Sequence, residues 1–358
     1  MTPEQIFKRY GIDSVAHPYG DGHINSTFVD DNYDYILQKI NTTIFPDADK
    51  LMENIQAVTD FVRKKVTLAG GDPDRETLTV VPTLDGNPYV VAEDNSVWRA
   101  YIFIKDSYSV TLSKNVRELY EAGKAFGRFQ CMLSDFPAEK LYESIKNFHN
   151  TPWRLENLKK AIAEDIAGRA KGVREEIEFA LSREKDAFVV TDAIKDGDVP
   201  LRVTHNDTKL NNVLFDKATN TGLCVIDLDT VMPGSMLYDF GDTLRSGAAT
   251  AAEDETNLSL VKFDLEAFRS FAEGFLSETL DVLTKREIEL LPFSAKLMTY
   301  ECGCRFLTDH LNGDTYFKIH REGHNLDRAR SQFALVRDIE LKLDDMKKII
   351  DEIIARRV

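Results

Sequence analysis

The chain has 358 residues, with 45 Lys and Arg against 60 Asp and Glu and a net charge of −15. That length exceeds one simple core and predicts two lobes, while the acidic balance excludes a nucleic-acid-binding surface or attraction to anionic lipid. Met1 to Tyr10 has no apolar leader core, no run approaches the ~18 apolar residues of a membrane span, and Cys131, Cys224, Cys302 and Cys304 form no disulfide framework, so a cytoplasmic protein is expected.

Residues 15 to about 104 read as strand-rich. His23 to Val29 and Tyr33 to Gln38 flank an Asp30-Asp31-Asn32 turn, which predicts a hairpin. Just before it, Tyr19 to Thr27 contains Gly20 and Gly22, whose missing side chains let backbone N–H groups approach phosphates. Gly20, Gly22 and Asn25 are therefore candidate nucleotide contacts, although a plain tight turn explains the glycines equally well; the loop is neither a P-loop nor a Rossmann turn. A phosphate-pairing lysine belongs on the next strand. Alternation sends Gln38 and Lys39 to opposite faces, and Lys39 is the only charged choice, with Glu53 as its possible partner.

Asp49 to Lys65 carries Leu51, Ile55, Val58 and Val62 at helical spacing, and Gly70-Gly71-Asp72-Pro73 ends that helix. Val80-Val81, Tyr89 to Ala92 and Val97 to Ile104 complete a five-strand sheet. The last of these runs into a hinge at Lys105-Asp106-Ser107, which makes the backbone around Phe103 to Lys105 a candidate reader of the adenine edge. Beyond it the chain turns helical: Asn115 to Leu133, Trp153 to Ala170, Gly172 to Ser182, and later Leu258 to Leu283, Lys285 to Leu311 and Asp327 to Arg356, with a short β region from Leu201 to about Asp229. The expected class is α+β, with a small β-rich lobe at 1–104 and a larger, mainly helical lobe at 105–358. Cys302-Gly303-Cys304 has no matching pair at zinc spacing and reads as packing thiols.

Two blocks in the β region carry chemistry. His205-Asn206-Asp207-Thr208-Lys209-Leu210-Asn211-Asn212 reads H-x-D-x-x-x-x-N, and Asp227-Leu228-Asp229 closes the apolar run Leu223 to Ile226. Phosphoryl transfer from ATP needs one carboxylate to orient a hydroxyl and accept its proton late, plus an amide and a second carboxylate to hold Mg²⁺. Asp207 is the candidate base; Asn212 and Asp227, on neighbouring strand ends, are the candidate metal ligands. Lys209 stands where it can touch the transferring phosphate or simply face solvent. His205 is expected to shape the loop rather than act as a base. Asp229 is a second metal ligand or a partner of the first. ATP and Mg²⁺ are thus the expected cofactors and a small molecule the expected partner, with no nucleic acid and no membrane; a monomer is compatible with the sequence.

These blocks, together with Y-G-D-G-H-I-N at 19–25, N-T-T-I-F-P-D at 41–47, I-D-L-D-T-V-M-P-G-S-M-L-Y-D-F-G-D at 226–242, E-L-L-P-F-S at 289–294 and E-C-G-C-R-F-L at 301–307, carry a resemblance over nearly the whole chain. The sequence resembles the aminoglycoside phosphotransferase and choline kinase superfamily, and within it the bacterial N-acetylhexosamine 1-kinases. The resemblance implies a protein-kinase-like two-lobe fold and transfer of the ATP γ-phosphate to the anomeric hydroxyl of N-acetylglucosamine or N-acetylgalactosamine. It implies Asp207 as base, Asn212 and Asp227 on magnesium, and a sugar pocket of His23, Arg305 and Tyr316, with Asp207 also touching the sugar. In that comparison Gln38, not Lys39, falls where the superfamily carries its phosphate-pairing lysine, which puts the usual lysine–glutamate pair in doubt. The competing expectations are a kinase of another small alcohol (homoserine, choline or aminoglycoside type), a catalytically silent nucleotide-binding regulator, and a magnesium-dependent phosphohydrolase.

Overall fold

The computed structural model describes residues 1–20, 24–111 and 115–357. Thr2 starts helix α1 (Pro3–Arg9) through a capping box with Gln5, and α1 presses Ile6 and Phe7 onto the sheet that follows. That sheet contains β1 (Ala16–Pro18), β2 (Ser26–Asp30), β3 (Tyr35–Ile40), β4 (Val80–Val81), β5 (Val90–Val91) and β6 (Val97–Ile102). All its pairings are antiparallel, in the order β1-β2-β3-β6-β4, with β5 also on β6. It has one strand more than the five expected, because Ala16–Pro18 pairs with β2. Asp30 fixes the hairpin turn: its side chain accepts the N–H groups of Asp34 and Tyr35, both at 2.7 Å. Helix α2 (Ala48–Leu68) starts at the Asp47 cap and turns Leu51, Ile55, Val58 and Val62 inward, as their spacing predicts.

After the short α3 (Pro73–Glu76), the chain reaches β7 (Ser107–Tyr108). The expected hinge is therefore partly strand. The helical part comprises α4 (Val116–Met132), α5 (Thr151–Glu164), α6 (Arg174–Leu181) and α7 (Val189–Lys195), then β8 (Arg202–Thr204), β9 (Val213–Asp216), β10 (Gly222–Val225) and β11 (Met232–Gly234), and then α8 (Met236–Gly247), α9 (Leu265–Thr279), α10 (Lys285–Leu311) and α11 (His324–Ala355). β7 and β10 flank β9 in one small sheet, and β8 pairs with β11 in another. Three of the boundaries that differ from expectation have clear local causes. α5 stops at Glu164 because Asp165 turns left-handed (φ 38°). α9 begins at Leu265, where Asp264 caps it. α11 starts earlier, at His324, behind Gly323 (φ 71°). Among the described residues, no helix is long and apolar enough to cross a membrane.

Helix α8 escaped the sequence reading for a physical reason. Asp239, Asp242, Thr243 and Ser246 form a polar stripe at helical spacing, but the fold turns most of that stripe inward, where Asp239 and Thr243 bind the His205–Asn212 loop instead of water. Its Gly241 lets α10 come close, since a Cβ there would stand 2.3 Å from the Ser294 carbonyl oxygen.

Helices α4 and α9 meet backbone to backbone. A Cβ on Gly274 would stand 2.0 Å from the Tyr120 carbonyl oxygen, and one on Gly123 would stand 2.2 Å from that of Phe271. Both obstacles are main chain and cannot swing aside. Gly274→Ala is expected to destabilise the fold by about 3 kcal/mol, the upper end of overpacking costs, despite the better helix propensity of alanine. Urea unfolding checks this; a variant as stable as the wild type would show that the helix pair can simply spread. The contact matters for chemistry because α4 carries Phe126, Phe129 and Gln130 to the loop described next.

Candidate active site

The His205–Asn212 loop joins β8 to β9 and is held almost entirely by its own neighbours. Asp239 of α8 accepts the His205 N–H at 2.8 Å and the Asn206 N–H at 2.7 Å, and Gln130 of α4 also donates to it. The Asp239 carboxyl is 1% exposed, and burial raises its pKa. Thr208 donates to the Asp239 carbonyl at 2.6 Å, and Thr230 to the His205 carbonyl at 2.7 Å. His205 spends both ring nitrogens on main chain: Nε2 on the Ile226 carbonyl at 2.8 Å, Nδ1 on the Asp207 N–H at 3.2 Å. The Phe126 and Phe129 rings lie edge-on to its imidazole. Asn206 turns left-handed (φ 65°), a conformation that Asn tolerates through its short polar side chain.

Asp207 is half-buried, with Lys209 Nζ 2.8 Å from Oδ1. Burial works against its charge. Lys209 outweighs that, with His205 and Arg245 helping, so the carboxyl lies below the usual range. Lys209 is raised in turn, chiefly by Asp207. Asn212 donates its Nδ2 to the Asp207 carbonyl at 2.8 Å, leaving the amide oxygen as the side chain's free acceptor.

Asp227 follows β10 directly. Antiparallel pairing sets Val225 opposite Val213, and the Ile226 N–H donates to the Asn212 carbonyl at 2.9 Å. Asn212 and Asp227 are thereby brought to adjacent strand ends. Asp227 turns left-handed (φ 60°). Burial, followed by the carboxylates of Asp229 and Asp207, pushes its pKa up to about 6.

Asp229 is more committed. Its Oδ1 lies 2.5 Å from Arg99 Nη1, and its Oδ2 accepts from Asn25 Nδ2 at 2.7 Å. Both oxygens are thus engaged by residues of the N-terminal sheet region. Asn25 is buried and also accepts the Asn41 N–H at 3.0 Å, so its amide ties the base of the glycine loop to Asp229. Gly20 is exposed and left-handed (φ 69°), as a tight turn requires. Gly22 and His23 lie outside the described residues. The remaining two candidates of this region have contacts of their own. Lys39 is exposed and packs over the Trp98 ring, on the face opposite Gln38. Phe103 already donates its N–H to the Asp34 carbonyl at 2.8 Å, and its ring packs against Tyr19 and Tyr33.

On the helical side, Arg305 of α10 lies between the Phe148 and Phe317 rings, with centroids at 5.3 and 5.5 Å. Its Nε has no hydrogen-bond partner. Tyr316 is 58% exposed, and its ring stands edge-on to Phe317. A buried relay connects this side to the loop. Glu301 holds His149 Nδ1 at 2.8 Å, and His149 Nε2 reaches the Asn206 carbonyl at 2.8 Å, next to Asp207. A cavity of about 390 Å³ bordered by Glu175, Asp327, Arg330 and Arg337 opens elsewhere, and none of these site residues lines it.

Residues 16–273 match the family model of the phosphotransferase enzyme family, APH. The chain belongs to that family. Solved structures share the kinase-like fold. An aminoglycoside phosphotransferase from Alicyclobacillus acidocaldarius superposes with a TM-score of 0.64 at 11% identity, over 98% of this chain and 97% of its own. A microcompartment-associated aminopropanol kinase gives 0.59 at 14%, over 96% and 97%. A spectinomycin phosphotransferase, in complex with ADP and spectinomycin, gives 0.58 at 13%, over 95% and 97%.

In this phosphotransferase, several residues around the loop left little or no trace in the sequence. Asp239 and Gln130 bind it from two helices, and His149 and Glu301 meet across 152 positions of chain. Arg99 was visible in principle as the lone charge in the run Val97 to Ile102, on an inward register. Asp239→Ala strips a buried acceptor from three donors and is expected to cost about 3–5 kcal/mol. Urea unfolding checks it, and a loss below about 1 kcal/mol would contradict the account.

Proposed function

We propose that this protein is an ATP-dependent kinase that phosphorylates the anomeric C1 hydroxyl of N-acetylhexosamines, N-acetylglucosamine or N-acetylgalactosamine, with its nucleotide held by residues 1–104 and its acceptor by 105–358. The observation that carries the reading is the meeting of Asp207, Asn212 and Asp227 at one loop and two strand ends. Asp207, ionised at neutral pH, orients the acceptor hydroxyl and takes its proton late. A hemiacetal C1 hydroxyl is more acidic than an ordinary alcohol, so a carboxylate of low pKa suffices. Lys209, paired with Asp207, is placed to meet charge developing on the transferring phosphoryl group.

The donor set fits Mg²⁺. Burial, then the charges of Asp229 and Asp207, raise the pKa of Asp227, and the described residues gather no larger His, Cys or carboxylate group that could hold a metal. Asn212 and Asp227 would hold the ion, with phosphate and water oxygens completing its shell. Bound there, it would screen the phosphate charge. Asp229, gripped by Arg99 and Asn25, would support the ligands.

The acceptor reading rests on the resemblance and on Arg305, Tyr316 and His23. Burial, then Arg305, brings Arg154 down to about 10, while the buried Glu301 carboxylate lies in the field of both guanidiniums, so this side carries mixed charge. The unpartnered Arg305 Nε is available for a hydrogen bond, and the aromatic rings offer a face for a sugar.

A panel of acceptors with Mg·ATP tests this, with ³¹P NMR locating the product phosphate. Turnover is expected with N-acetylglucosamine and N-acetylgalactosamine at C1. Turnover confined to ethanolamine, homoserine, choline or aminoglycosides would displace the sugar reading and keep the kinase.

A further inference from the structure

Arg99 is 1% exposed and is the one buried cation among the described residues of 1–104. It stands on β6 in register with Gln38 of β3, so both side chains share one face of the sheet. Its Nε and Nη2 donate to Gln38 Oε1 at 3.0 and 2.9 Å. Gln38 is itself held: its Nε2 donates to Thr27 Oγ1 at 3.2 Å, which fixes the amide oxygen towards the guanidinium. Nη1 lies 2.5 Å from Asp229 Oδ1 as an ion pair without hydrogen-bond alignment, and the second oxygen of Asp229 binds Asn25. A charge this deep is costly unless something requires it. One carboxylate partner would be matched by neutral packing at no greater cost, so the Arg99–Asp229 pair by itself does not account for a buried guanidinium. Asp227, two residues from Asp229, is the further carboxylate within its field.

We propose that Arg99 supplies, from β6, the positive charge at the nucleotide site for which β3 offers only Gln38, with Gln38 as the neutral arm that aims it and Asp229 as its link to the Asp227 turn. This rests on the nucleotide reading above. The charge has moved one strand sideways: a lysine at 38 would project from β3 directly, whereas Arg99 reaches the same region across the Gln38 amide. Lys39 cannot substitute, because it lies over Trp98 on the other face.

The test uses Mg·ATP binding measured by calorimetry, which needs no acceptor. Arg99→Met alone strands Asp229 without a partner and risks misfolding, so Arg99→Met is combined with Asp229→Asn. The double variant is expected to unfold near the wild-type midpoint, yet bind Mg·ATP at least about tenfold more weakly than Asp229→Asn alone, the scale of one charge-assisted contact. Adding Gln38→Lys puts a cation back on β3, and that triple variant is expected to regain most of the affinity; a purely structural Arg99 would show no such rescue. A double variant that binds like Asp229→Asn alone, or a folded triple variant no better than the double, overturns the assignment of Arg99. A wild type that does not bind Mg·ATP at all overturns the nucleotide reading and this inference with it.

Discussion

Asp207→Asn is expected to lower turnover by about 10²–10⁴-fold, the span of general acid–base contributions, while Mg·ATP binding persists. The substitution is nearly isosteric. The main-chain bonds at this position remain, because His205 binds the Asp207 N–H and Asn212 the Asp207 carbonyl. What disappears is the negative charge and the proton acceptor. Lys209 also loses its partner at 2.8 Å and should titrate lower. The direction of the wild-type shift adds a second reading. Because Lys209 holds Asp207 below the ordinary carboxylate range, protonation of this group should not erode the rate above about pH 5. Single-turnover kinetics with pre-bound Mg·ATP separates chemistry from binding. Near-normal turnover in Asp207→Asn would remove Asp207 from the base role.

Asp227→Asn is expected to move activity and stability in opposite directions. Loss of the carboxylate should reduce turnover by about 10²–10³-fold, as loss of one preorganised electrostatic contact does, and should weaken the gain in thermal midpoint on adding Mg·ATP. Without metal, the same change should stabilise the protein. The folded pKa of Asp227 is raised to about 6, so the fold disfavours the ionised form. The unfolded side chain titrates near pH ~3.9. Stability therefore falls as pH rises between those values, and the full penalty is present at pH 8. Asparagine removes it. In EDTA at pH 8 the variant should melt above the wild type, and the gap should close towards pH 4. A variant that melts lower at pH 8 would mean that the Asp227 charge is already compensated in the metal-free protein.

Glycines and buried charges show where local reading ends. Alternation along β3 separated Gln38 from Lys39 correctly, but only the pairing of β3 with β6 shows which face meets Arg99 and Asp229. The hairpin at Asp30 and the stripe on α2 were legible because one side of each element is buried and the other wet. In α8 the polar stripe of Asp239, Asp242, Thr243 and Ser246 mostly faces the interior, so the contrast between wet and dry sides that marks α2 does not apply to it. Within the stretch Phe103 to Lys105, the Phe103 N–H is taken by the Asp34 carbonyl, a pairing that depends on where β3 starts.

The sequence by itself determined the α+β order of the chain and the spacing of Asp207, Asn212 and Asp227, because strand–loop–strand geometry is local: β9 and β10 are joined by one short turn, and pairing them brings Asn212 and Asp227 together. Only the tertiary structure decided what charges and holds those groups. Asp239 binds the loop from α8, Glu301 aims His149 from far along the chain, and Arg99 reaches Asp229 from the N-terminal sheet. Those partners are chosen by packing in three dimensions, where desolvation makes each unpaired group costly, and no periodicity along the chain records the choice.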